Sequence, residues 1–150
     1  MRSLKAFAGR PHLATLAPYE PVSASARFLL TLRAYFELIR CGITLWQSDF
    51  AGLHQSIPAL QEVENTSRIH TIEQICEAVD VAAIWYWRQV LCLQRSAATT
   101  RLLRRFGIPA RLVIGTQLMP FKAHAWVEVD GQIVNDRSYM REIYQVLDVW

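Results

Sequence analysis

The hydrophobic period of this chain changes once, at Gly107. Before it, apolar residues recur every three or four positions: Phe28, Leu32, Tyr35, Phe36 and Ile39 in one segment, Ile72, Ile75, Cys76, Val79, Ala83 and Tyr86 in another. After it, ARLVIGTQ, KAHAWVEVD and GQIVND alternate with a period of two, and Asp130-Gly131 is a turn signal between the last two. Gly107 can take the left-handed cap conformation and Pro109 keeps the helix from resuming, so CLQRSAATTRLLRRF must stop there. Helices first and strands last predict an α+β fold, with helices packed on a small antiparallel sheet. At 150 residues there is room for one such domain. We read it as an irregular arm over 1–22, which carries Pro11, Pro18 and Pro21, a helical region over 23–80 and a core over 81–150.

Within that frame, Ser23 or Ser25 can cap a helix running to about Gln47, which Gly42 weakens near its end. Residues 48–68 read as a loop or short helix followed by a connector, because Gly52, Pro58 and the run from Glu62 to Ser67 interrupt the pattern. Thr71-Ile-Glu-Gln reads as a capping box for the helix TIEQICEAVDVAAIWYW. With 52% apolar and 19% charged residues, intrinsic disorder is excluded.

Charge is segregated rather than large. Residues 81–127 carry Arg88, Arg95, Arg101, Arg104, Arg105, Arg111 and Lys122 and no acid, yet the formal net charge is only +3. Only two of the sixteen bases are Lys, so nothing argues for a nucleic-acid partner. Arg101, Arg104 and Arg105 fall together on one side of their helix, a solvated face by default and a docking surface for an acidic peptide as the alternative. Cys41, Cys76 and Cys92 are too few and too scattered for a disulfide framework, no zinc spacing occurs, and neither metal nor cofactor is expected. Gly9, Arg10 and Pro11 break the N-terminal apolar stretch, which makes a poor secretory signal, so the expected location is cytoplasmic. The stretch from Phe28 to Trp46 has the length of a membrane span but carries Arg33, Glu37 and Arg40 in its middle. It predicts a packed helix, with peripheral membrane contact left open.

Cys92 is the residue to which chemistry attaches. On a wheel of about 100° per residue, Ser96, Thr99, Leu103 and Phe106 share its side of the helix, so Cys92 heads the buried face. It also lies in the first turn, where unpaired N–H groups and the helix dipole favour a thiolate by about 0.3–1 kcal/mol. His124 lies in one predicted strand and Asp136 in the next, and whether they meet depends on the turn. A two-residue loop, Asp130 and Gly131, sets Asp136 opposite Ala125 and puts His124 on the other face. A three-residue loop of Val129, Asp130 and Gly131 sets Asp136 opposite His124, with Cβ atoms about 4.5–5.5 Å apart. Each residue alone has an ordinary reading: a small core thiol, a packed histidine, a turn aspartate. Cys41 and Cys76 keep theirs.

The stretch CLQRSAATTRLLRRFGIPARLVIG followed by PFKAHAWVEVDGQIVND resembles the core of the transglutaminase-like proteases that remove the leader from lasso-peptide precursors. The resemblance implies a transglutaminase/papain-like core and a cysteine peptidase, with Cys92 as nucleophile, His124 as its base and Asp136 as the orienting group. It implies a lasso-peptide precursor as substrate, a separate leader-recognition protein, since the first eighty residues read as helical rather than winged-helix, and an ATP-dependent cyclase that takes the released core. Two other readings stand beside it: a transglutaminase-like acyltransferase that hands the thioester to an amine, and a non-catalytic peptide-binding adaptor.

Overall fold

The computed structural model describes residues 23–47, 52, 55, 57 and 68–150. The arm expected over 1–22, and all but four residues of the connector expected over 48–68, lie outside them. The first helix, α1, is Ala24–Gln47. Ser23 starts it as expected: its carbonyl accepts from Arg27 N–H at 3.1 Å and its hydroxyl from Ala26 N–H at 3.3 Å. The second, α2, is Arg68–Ile84. Thr71 therefore lies inside α2 and does not cap it, a correction to the sequence reading. A Thr-x-x-Gln spacing also fits a helix interior, where residues three apart are neighbours on one face. The third, α3, is Cys92–Arg105, and Gly107, at φ 73°, follows its end.

Helix α3 lies between the α1–α2 pair and the sheet, touching both. Its sheet side buries Ser96, Thr99 and Leu103 as the wheel requires, whereas Phe106 falls beyond the last helical turn and is 44% exposed. Against α1 it brings Gln94, whose Nε2 donates to Leu38 O at 2.8 Å. Gly42 permits that approach, since a Cβ there would stand 2.9 Å from Gln94 Nε2 and 3.0 Å from the Tyr86 hydroxyl. The glycine that weakens α1 by propensity is thus used for helix packing.

The arginines of α3 do not form a solvated stripe. Arg101 is 2% exposed, and its Nε donates to Glu37 Oε2 at 2.7 Å. Arg105 Nη1 reaches the other oxygen of Glu37, also at 2.7 Å. Arg104 donates to Ala110 O at 2.7 Å and Trp150 O at 2.8 Å. These cations tie α1 and the sheet to α3, with Arg101 buried and Arg105 still 49% exposed. They also explain why α1 carries Glu37 in an apolar stretch. Among the described residues, no helix is long and apolar enough to cross a membrane.

The sheet follows as β1 (Ala110–Leu118), β2 (Phe121–Val129), β3 (Gln132–Ile133) and β4 (Gln145–Val149), with a short helix, α4 (Met140–Ile143), between the last two. The spatial order is β3-β2-β1-β4, and every neighbouring pair is antiparallel. α+β, with a four-stranded antiparallel sheet, is the architecture expected. Two elements were not foreseen, α4 and β4. β4 pairs with β1 through a bulge at Ile114/Gly115. Gly115 lies opposite His124, and a Cβ on it would stand 2.7 Å from the Trp126 ring and 2.9 Å from Tyr144 Cβ. The aromatic packing around His124 needs that empty position.

Candidate active site

The hairpin between β2 and β3 takes the two-residue loop. Glu128 opposes Ile133 and Val129 opposes Gln132, with Asp130 at φ 51° and Gly131 at φ 77°, both in the region that a type I′ turn requires. In a continued ladder this register separates His124 from Asp136, yet His124 Nε2 lies 2.8 Å from Asp136 Oδ2. The expected link between register and contact is overturned, because β3 ends after two residues. Val134 N–H still donates to Val127 O at 2.9 Å, but Val127 N–H finds the side-chain oxygen of Asn135 at 2.6 Å. From there the backbone leaves the sheet, and Asp136 is free of the alternation that would have turned it away.

Asp136 is held from several sides. Its Oδ1 accepts from Arg137 N–H at 2.8 Å, and Arg95 Nη2 approaches its Oδ2 at 3.4 Å. Burial works to raise its carboxyl, but the Arg137 N–H, the His124 bond and the Arg95 charge outweigh it and hold Asp136 below the ordinary aspartate range. Arg95 also donates to Asn135 O at 3.2 Å and pairs with Asp80 of α2 at 3.4 Å. An ionised carboxylate can only accept, so Nε2 is the donor in this bond, and in a neutral imidazole the lone pair then lies on Nδ1. Tyr144 and Trp126 pack about the ring, with centroids 5.3 and 6.3 Å away. Trp126 is itself fully buried and donates from Nε1 to Glu128 Oε1 at 2.8 Å; Arg141 of α4 holds the same carboxylate with bonds of 2.7 and 2.6 Å.

Cys92 is the first residue of α3, half-buried, after Leu91, which offers no side-chain cap. One turn on, the Ser96 hydroxyl donates to Ala125 O at 2.8 Å, next to His124 in the chain. The start of α3 is thereby fixed against the segment of β2 that carries the histidine. An uncapped helix start with no acidic residue in its first turn leaves backbone N–H groups and the positive dipole end for an anion. Burial pushes the Cys41 and Cys76 thiols up to about 12. Iodoacetamide at pH 8 is therefore expected to label Cys92 first, read by peptide mapping; labelling of Cys41 or Cys76 at an equal rate would contradict this ordering.

Sequence reasoning missed Arg95, Asn135 and Tyr144. Asn135 was read as part of the last strand, GQIVND, and Arg95 as one more cation. Only the polar pair Asn-Asp, directly after an apolar strand, hinted that a side chain would take over from the ladder there.

The family model of the transglutaminase-like superfamily matches residues 35–149. The chain is also 46% identical over 56 residues to the microcin J25-processing protein McjB of Escherichia coli, an overlap of 37% of this chain and 27% of that protein. The match thus spans about a quarter of the curated relative's length. No solved structure matches. These findings bear out the resemblance to the lasso-peptide leader peptidases read from the sequence. With its helices, its small antiparallel sheet and a family match covering most of its length, the chain belongs to the transglutaminase-like superfamily.

Proposed function

We propose that this chain is a cysteine peptidase that cuts the leader from a lasso-peptide precursor, with Cys92 as nucleophile, His124 as general base and Asp136 as the group that orients the base. The observation that supports it most is the 2.8 Å bond from His124 Nε2 to Asp136, which leaves Nδ1 as the proton acceptor on a strand tied to the start of α3. The likeness to a microcin J25-processing protein supports the substrate class.

In this reading His124 Nδ1 takes the Cys92 proton and the thiolate attacks the carbonyl joining leader to core. Charge developing on that oxygen is met by the Cys92 N–H, with Gln89 or Trp87 just upstream as the second donor. The imidazolium returns its proton to the departing amine of the core, leaving the leader as a thioester. Water, deprotonated by His124, then hydrolyses the thioester and frees the leader as a carboxylic acid. The core amine passes to an ATP-dependent cyclase, and a separate recognition protein presents the leader.

Incubation of the chain and recognition protein with precursor, followed by mass spectrometry, tests the reading. The expected products are the intact core and a leader heavier by the oxygen and hydrogen of water. A leader joined to an added amine would instead establish acyl transfer, and unchanged precursor would remove the peptidase reading.

A further inference from the structure

Three segments that carry the proposed triad meet at one side chain outside it. Val127 N–H can only donate, so the Asn135 atom 2.6 Å away is its carbonyl oxygen, and the amide nitrogen must point the other way. That nitrogen donates to Ser96 Oγ at 2.9 Å, and the Ser96 hydroxyl donates onward to Ala125 O at 2.8 Å. Ser96 is fully buried on α3, one turn beyond Cys92. Val127 and Ala125 lie on β2 on either side of Trp126, close to His124 in the chain. Asn135 immediately precedes Asp136, and its own carbonyl is held by Arg95 of α3 at 3.2 Å.

We infer that Asn135 is a positioning residue: it fixes the helix start bearing Cys92, the strand bearing His124 and the loop bearing Asp136 relative to one another. The directionality is fixed, because Val127 N–H, one N–H of the Asn135 amide and the Ser96 hydroxyl each donate to a named acceptor, and a flipped amide would set its own N–H groups against Val127 N–H. Asn135 also ends the β2–β3 ladder, since its oxygen stands where a strand carbonyl would have met Val127 N–H. Asp136 owes its reach to His124 to that substitution. The hydrogen bonds of Asn135 go to Val127, Ser96 and Arg95, and it acts through the segments it ties.

The inference rests on the peptidase reading for its consequence in turnover, but not for its second readout. Asn135→Ala, Asn135→Asp and Ser96→Ala are compared with the unaltered chain in precursor cleavage with the recognition protein, in the rate and pH profile of Cys92 alkylation by iodoacetamide, and in thermal melting. A misplacement of about 1 Å among reacting groups costs on the order of 10²-fold in rate. Asn135→Ala should accordingly lose about 10²-fold in kcat with KM within about twofold, and its alkylation profile should move towards that of an unassisted thiol. Asn135→Asp keeps the acceptor for Val127 N–H and loses the donor to Ser96, so it should fall between; Ser96→Ala should add little to Asn135→Ala. If Asn135→Ala does not fold, Asn135→Asp and Ser96→Ala carry the test by the same two readouts.

An unchanged alkylation profile and kcat in a folded variant would overturn the inference, as would a loss that only follows the melting temperature and vanishes on cooling. If the unaltered chain leaves precursor intact, the peptidase reading fails, while the alkylation profiles still decide whether Asn135 sets the Cys92–His124 relation.

Discussion

Replacement of Cys92 by Ala is expected to bring precursor cleavage to background, a loss on the order of 10⁵-fold or more in kcat, with the melting temperature near that of the unaltered chain. Removing a nucleophile from a covalent mechanism costs about as much as removing the whole catalytic group, which sets that magnitude. The fold should survive because Cys92 is half-buried at a helix start and lies outside the buried core. His124→Ala should fall nearly as far. Asp136→Asn should lose less, because an orienting group shifts tautomer and geometry without supplying the nucleophile or the proton acceptor. Cleavage assays at saturating precursor, with circular dichroism as the control for folding, check all three. Full activity in Cys92→Ala would end the proposed mechanism, and equal losses for Asp136→Asn and Cys92→Ala would assign Asp136 a different role.

The largest loss of stability is expected at a residue remote from that chemistry. Glu37 is 4% exposed and receives both Arg101, itself 2% exposed, and the half-exposed Arg105. Deleting one member of a buried ion pair leaves charge without its counterpart in a poorly solvating interior, which costs about 3–5 kcal/mol. Glu37→Ala should therefore destabilise the chain by about that amount in urea unfolding. Arg105→Ala removes only the half-exposed partner and should cost about 1 kcal/mol or less. A midpoint in Glu37→Ala equal to that of the unaltered chain would show that the α1–α3 contact does not depend on this carboxylate.

The sequence was informative where local rules decide and silent where side chains replace backbone. The change of hydrophobic period located every strand as far as Val129, and Gly107 marked the end of α3, because helix termination and strand alternation are local properties. The buried side of α3 was legible for Ser96, Thr99 and Leu103 for the same reason. Arg101, Arg104 and Arg105 were misread, since amphipathic spacing gives the side on which a cation lies and not whether a glutamate 64 positions away reaches it. Thr71 was misread because a capping pattern carries no information about the residues before it. The site divides likewise. Cys92, His124 and Asp136 were named from the sequence, but the geometry bringing His124 to Asp136 came from neither alternative considered. It came from Asn135, whose side chain ended the ladder.

That ending has a consequence for how such a chain tolerates change. The tip of the hairpin, Asp130 and Gly131, is solvent-facing, with open space about Gly131, although its φ of 77° reserves that position for glycine. Because a side-chain bond at Val127, rather than the count of residues around the turn, determines where the carboxylate goes, the tip and the acid are mechanically decoupled. Lengthening that loop, or splicing a reporter peptide into it, is therefore expected to disturb the two-residue ribbon at the sheet's margin more than the placement of Asp136.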